Sequence, residues 1–211
     1  MNRTLGMLPL LAALALGGCS KELTAGGFGE VSTVATDEDN NPSTARYALL
    51  PGVGEQSVPL ATVEGAVEMS MDVSLVSESG VALPITGGAA AVEVEIGTSA
   101  RVPLGTEVVP VGLYPAVRLS FHEVGAEVQG LVLGGTVFAG TVTVDLGQDG
   151  LEVEFPVPVN VREDEDATVV LHLHSMTWLS LAQLLSSIPP GAVVSSDAFR
   201  EAIEVTAESS S

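Results

Sequence analysis

One cysteine, 7 lysine and arginine residues and 8 aromatics are all that this sequence of 211 residues contains of those types. A single thiol excludes a disulfide framework and any cysteine-based zinc cluster. The 7 basic residues stand against 27 acidic ones, for a formal charge of −20. Such a surface repels phosphate, which excludes nucleic acid as a partner. Charged residues are nevertheless only 16% of the chain, below the roughly 25% of average domains, so it is not a disordered acidic segment. A membrane-spanning run is also missing. The apolar stretch Leu5 to Leu16 would extend about 18 Å as a helix, short of the roughly 30 Å hydrocarbon core.

What the chain has instead is 31 valines, 23 glycines and 12 prolines. That mixture points to β-strands punctuated by turns. At the N-terminus, Arg3 followed by the apolar run has the layout of a signal peptide. The run ends in Leu16-Gly17-Gly18-Cys19. This resembles the lipobox of bacterial lipoproteins: a leucine, two small residues and the modified cysteine. The resemblance implies cleavage after Gly18, a diacylglyceryl thioether on Cys19, and the membrane as partner through that lipid. An ordinary secretory signal with a chance cysteine is the plainer alternative. Ser20 rather than aspartate after the cysteine implies the outer membrane of a Gram-negative host. Two or three acyl chains hold far better than one, at about 0.8 kcal/mol per buried methylene.

Three regions are expected: signal peptide 1–18, lipidated N-terminus and flexible tether 19–60, and a β domain 61–211 ending in a helical segment. Between Ser20 and Leu60 no period is sustained, and Gly26-Gly27, Asp37-Glu38-Asp39 and Asn40-Asn41-Pro42 read as solvated chain. About 40 such residues could reach over 100 Å at roughly 3.3 Å each. From Val63 the pattern alternates strictly. Val67, Met69, Met71, Val73 and Leu75 share one face, and Glu68, Ser70, Asp72 and Ser74 the other. Further strands are expected at Val92–Ile96, Arg101–Leu104 and Val137–Leu146. Val117, Leu119 and Phe121 fall out of phase with Val124, Ala126 and Val128, which predicts a β-bulge near His122–Gly125.

Leu151 to Val161 reads as one eleven-residue edge strand whose outer face carries Pro156 and Pro158. A charged turn, Arg162–Asp166, leads to a returning strand through Val169, Leu171 and Leu173. Trp178 to Ser187 reads as a short apolar helix with Trp178 packed inward. Ser196 or Asp197 could cap another turn before a strand at Ile203–Ala207. The expected fold is all-β, an antiparallel β-sandwich, immunoglobulin-like or related, of about seven to eight strands. In outline it resembles single-domain β-sandwich lipoproteins of unknown function.

For chemistry, the histidines come first. His172 and His174 lie two apart in a strand and share its outward face, and His122 also points away from the apolar side. Convergence of His122, His172 and His174 could hold zinc or copper with a position open for water, making a metal-binding protein or metal-dependent enzyme. Without convergence they are exposed polar residues. Asp37, Asp39 and Asn41 alternate as calcium ligands do, but Pro42 and Ala48 occupy the positions an EF-hand gives to glycine and glutamate. Asp164, Glu165 and Asp166 are a second calcium candidate, read more simply as a solvated turn. No Gly-x-Ser-x-Gly elbow is present. Only Tyr47, Tyr114 and Trp178 could stack on a sugar, and no phosphate loop occurs. No catalytic set and no small-molecule ligand emerges. The resulting expectation is a non-enzymatic, lipid-anchored envelope protein, structural or binding a partner in the periplasm or at the outer membrane.

Overall fold

A computed structural model describes residues 26–37, 63–185 and 191–210. In chain order the strands are β1 (Phe28–Thr36), β2 (Glu64–Val76), β3 (Ala82–Pro84), β4 (Ala90–Glu95), β5 (Val102–Pro110), β6 (Gly112–Tyr114), β7 (Ala116–Leu133), β8 (Thr136–Asp145), β9 (Leu151–Phe155), β10 (Val159–Val161) and β11 (Asp166–His172). Helix α1 (Ser175–Leu179) follows, then β12 (Gln183–Leu185), β13 (Gly191–Ser195), α2 (Ser196–Ala202) and β14 (Glu204–Ser210). The fold is an all-β sandwich, as the alternation implies. Among the described residues it has fourteen strands rather than the seven to eight expected, because several are only three residues long and carry no readable alternation.

A small sheet runs in the order β14-β11-β1-β5, and a large one in the order β12-β13-β8-β7-β2-β3. In the large sheet β4 also pairs with β2, and β9 with β7. A two-stranded ribbon joins β10 to β6. Pairing is mixed rather than purely antiparallel, because β1–β11 and β8–β13 are parallel. Val31 and Ala35 of the small sheet, and Val67, Met71 and Leu119 of the large one, belong to a single hydrophobic core.

The strand β2 shows how the pattern becomes packing. Val67, Met71, Val73 and Leu75 are fully buried, while Ser70, Asp72 and Ser74 face outward. Its partner β7 carries the expected bulge. Ser70 pairs with Glu123 and Met71 with Phe121, so His122 is the extra residue and the phase slip is absorbed there. Gly150 seats against this bend. Its φ is +77°, and a Cβ there would press on the Phe121 carbonyl, so the position requires glycine.

Three segments also depart from the sequence reading. First, the tether assigned to 19–60 contains β1, an interior strand of the small sheet, hydrogen-bonded to β11 on one side and β5 on the other. Its inward positions are Gly29, Val31, Thr33 and Ala35. Only one of these is strongly apolar, which flattens the alternation that marks a strand. Gly29 is needed because Val161 and the Arg162 carbonyl lie where its Cβ would be. The rest of the expected tether, including Tyr47–Leu50, lies outside the described residues.

Second, Leu151–Val161 is two strands. The segment Pro156-Val157-Pro158 separates β9 in the large sheet from β10 in the ribbon. Neither proline can donate to a ladder, and the Val157 N–H turns back onto the Phe155 carbonyl at 2.8 Å. The period of 2 persists because it reports burial, not which sheet does the burying. Third, the helix expected at Trp178–Ser187 is displaced. α1 ends at Leu179 and Gln183–Leu185 pairs with β13. Trp178 and Leu179 take the buried positions, leaving Leu184 and Leu185 exposed in a ladder.

The C-terminal elements close the core. The Ser195 side chain caps α2 by accepting from the Ala198 N–H at 3.3 Å. Phe199 of α2 sits edge-on to Trp178 at 5.5 Å and to Phe121 at 5.1 Å. Such aromatic pairs contribute about 1 kcal/mol each beyond area burial.

Candidate functional surfaces

The lipobox-like residues Leu16 to Cys19 lie outside the described residues, as do Asp39, Asn41, Pro42 and Ala48 of the rejected calcium loop. Their neighbour Asp37 is described, and it is not solvated. It is fully buried at the end of β1. Its Oδ2 accepts from the Gly97 N–H at 2.6 Å and its Oδ1 from the Ser175 N–H at 2.7 Å. The second bond is a helix cap delivered from a distant strand. His174 occupies the N-cap of α1, yet its side chain makes no cap bond there, so Asp37 supplies the acceptor. The carboxylate therefore ties together β1, the turn after β4 and the start of α1. An acidic run in the sequence gives no sign of this, because the signal lies in the fold.

The three histidines are distributed between the sheets. His122, on β7 of the large sheet, lies 2.7 Å from Asp72 Oδ2 on β2. His172, on β11 of the small sheet, is 3.0 Å from Thr206 Oγ1. His174 follows it with φ at +43°, a left-handed conformation unusual for a residue with a Cβ. Its Nε2 lies 3.5 Å from Glu204 Oε2. The rings of His172 and His174 stack with centroids 6.1 Å apart. The structure thus brings two of the three together and leaves His122 on the other sheet. Among the described residues no group of three or more His, Cys, Asp or Glu side chains is arranged to hold a metal ion.

His122 and Asp72 have the relation of a base to its orienting carboxylate. Among the described residues, no hydroxyl or thiol is hydrogen-bonded to that ring. The pair is half-exposed and reads as a surface hydrogen bond across two strands. Neither described aromatic offers a sugar platform. The Tyr114 hydroxyl donates to the Pro110 carbonyl at 2.8 Å, and burial raises its pKa. Trp178 is wholly buried. In the charged turn, Arg162 donates to both Glu165 oxygens at 2.9 Å, so that carboxylate already has a cation.

The outer face of the large sheet is strongly acidic. Glu68 sits directly opposite Glu93, and Ala66 lies between Glu95 and Glu127. With Glu64 these line a shallow groove of about 780 Å³. Like charges facing each other cost a few tenths of a kcal/mol per pair, and this face accepts that cost. A few carboxylates elsewhere are matched to arginines. Arg118 bonds Glu154 at 2.9 Å, which raises the arginine's pKa, and so fastens β9 to β7. Arg101 donates twice to Glu208 at 2.7 Å, holding that carboxyl below its ordinary range.

Among the described residues no helix is long and apolar enough to cross a membrane. Family models, curated proteins and solved structures were compared with the chain, and none matches it.

Proposed function

We propose that this chain is a lipid-anchored cell-envelope protein, a β-sandwich that acts as a structural or partner-binding module rather than an enzyme. The observation that carries this reading is the order of Arg3, the apolar run and Leu16-Gly17-Gly18-Cys19 in a chain with no other thiol. Acyl chains on Cys19 would hold the N-terminus in the bilayer, the outer membrane where the host has one. The acidic outer face of the large sheet fits a basic envelope partner, whose association would be steered by charge and weakened by salt.

Mass spectrometry of the native product tests the anchor. A polypeptide beginning at Cys19 with its sulfur acylated is expected, and Cys19→Ser should shift the protein from the membrane to the soluble fraction. An unmodified thiol, or a chain retaining Met1, would overturn the reading. The partner role is tested by crosslinking in intact cells. Glu93→Lys together with Glu127→Lys should abolish a specific adduct; an unchanged adduct pattern would move the binding surface elsewhere.

A further inference from the structure

We infer that the corner of the sandwich where the chain runs into β1 rests on the surface of the lipid bilayer. This rests on the anchor at Cys19 and goes beyond it, because a lipid at the end of a long tether would leave the domain free in the aqueous space. The position of β1 changes that geometry. With Phe28 already in the sheet, only residues 20–27 separate Cys19 from the fold. The nine residue steps from Cys19 to Phe28 reach at most about 32 Å. A link this short holds one part of the surface near the bilayer at an effective concentration on the order of millimolar, so even a weak patch stays engaged.

That part of the surface is apolar. Phe28 is 61% exposed, Val108 62% and Leu113 54%, with Val111 also exposed. Register and one backbone bond bring Phe28, Val108 and Val111 together. Phe28 pairs with Pro110, Val108 is one pair further along the same face, and the Val111 N–H donates to the Gly27 carbonyl at 2.9 Å. Three of the ten large hydrophobic side chains exposed among the described residues, Phe28, Val108 and Val111, therefore gather where the anchored segment arrives, and Leu113 follows two residues on in β6. Glu30 pairs with Val108, and the Glu163 carboxylate lies beside Gly27. Both border the patch with negative charge. The surface it fits is therefore a zwitterionic one, met at headgroup depth.

The test uses the full-length acylated protein, whose Cys19 sulfur is already consumed, with one new thiol introduced at a time. Leu113→Cys or Val108→Cys reports on the corner. Val137→Cys reports on the tip of the β7–β8 hairpin, sixteen residues along β7 from its start. Each is labelled with a fluorophore in phosphatidylethanolamine–phosphatidylcholine vesicles carrying nitroxide headgroup quencher. At least threefold stronger quenching at positions 108 and 113 than at 137 is expected, falling as phosphatidylglycerol is added at low salt. Equal quenching at all three, with acylation of Cys19 verified on the same sample, would overturn the contact and leave the anchor standing. Absence of acylation would overturn both. A corner shielded from aqueous iodide but untouched by the lipid quencher would assign it instead to a second copy of the chain.

Discussion

The two ends of β1 are built in opposite ways. At its start Phe28 projects into solvent from the small sheet. At its end Thr36 is 2% exposed, and Asp37 just beyond it is buried with both carboxylate oxygens occupied. The backbone is held at both ends by neighbouring strands, so the difference lies in the side chains. One end is fastened to the core and the other is left for a surface. The contrast teaches that one strand can carry a buried tie at one end and an exposed apolar side chain at the other. Whatever restrains the chain before Phe28 is coupled through one ladder to the turn after β4 and to α1.

Breaking the fastened end should have the largest effect. Asp37→Ala leaves the amides of Gly97 and Ser175 without their acceptor in a buried site, which should cost about 2–5 kcal/mol. Urea unfolding monitored at Trp178 reads the loss. Asp37→Asn keeps one acceptor oxygen and should fall between wild type and alanine. Next comes Gly29→Val, which forces a side chain against Val161 and the Arg162 carbonyl. Overpacking of this kind costs about 1–3 kcal/mol, visible as a lowered Tm.

The Arg101–Glu208 pair on the surface of the small sheet should matter less. Both side chains are about half-exposed, so Arg101→Met should cost under about 1 kcal/mol and less still at high salt. Its pH dependence has a definite sign. The Glu208 pKa is lowered on folding, chiefly by the bond from Arg101. The pair's contribution is therefore complete above the ordinary carboxylate range and lost as pH falls through the lowered value. Comparing wild type with Arg101→Met across that interval isolates it. Phe28→Ser should have the smallest effect on stability, within about 0.5 kcal/mol, and a thermal melt checks this.

The sequence discloses some strands and hides β1, both its ends included, for physical reasons. Where inward residues are large and outward ones polar, as in β2, the strand, its face and its burial are legible. The bulge at His122 was equally legible, since an odd spacing between buried Phe121 and Val124 has few other solutions. β1 escapes because Gly29, Thr33 and Ala35 are small or polar, and because its partner β11 lies more than 130 residues away. Asp37 escapes for a related reason. A carboxylate satisfied by two amides from distant segments looks, in sequence, like any other member of an acidic run. For the histidines, only the aim of His172 could be read from alternation, since His174 lies past the end of β11 as the cap of α1 and His122 is the bulge residue itself. Their distribution between two sheets could not, because alternation does not say which strands are neighbours.

The central structural claim is that the chain is already part of the sandwich at Phe28, and the most direct measurement is amide hydrogen exchange across β1. Protection from Val31 to Ala35 should match that of β7, with release only on global unfolding. Exchange of those amides at the rate of unstructured chain would return the segment to a tether and contradict the account.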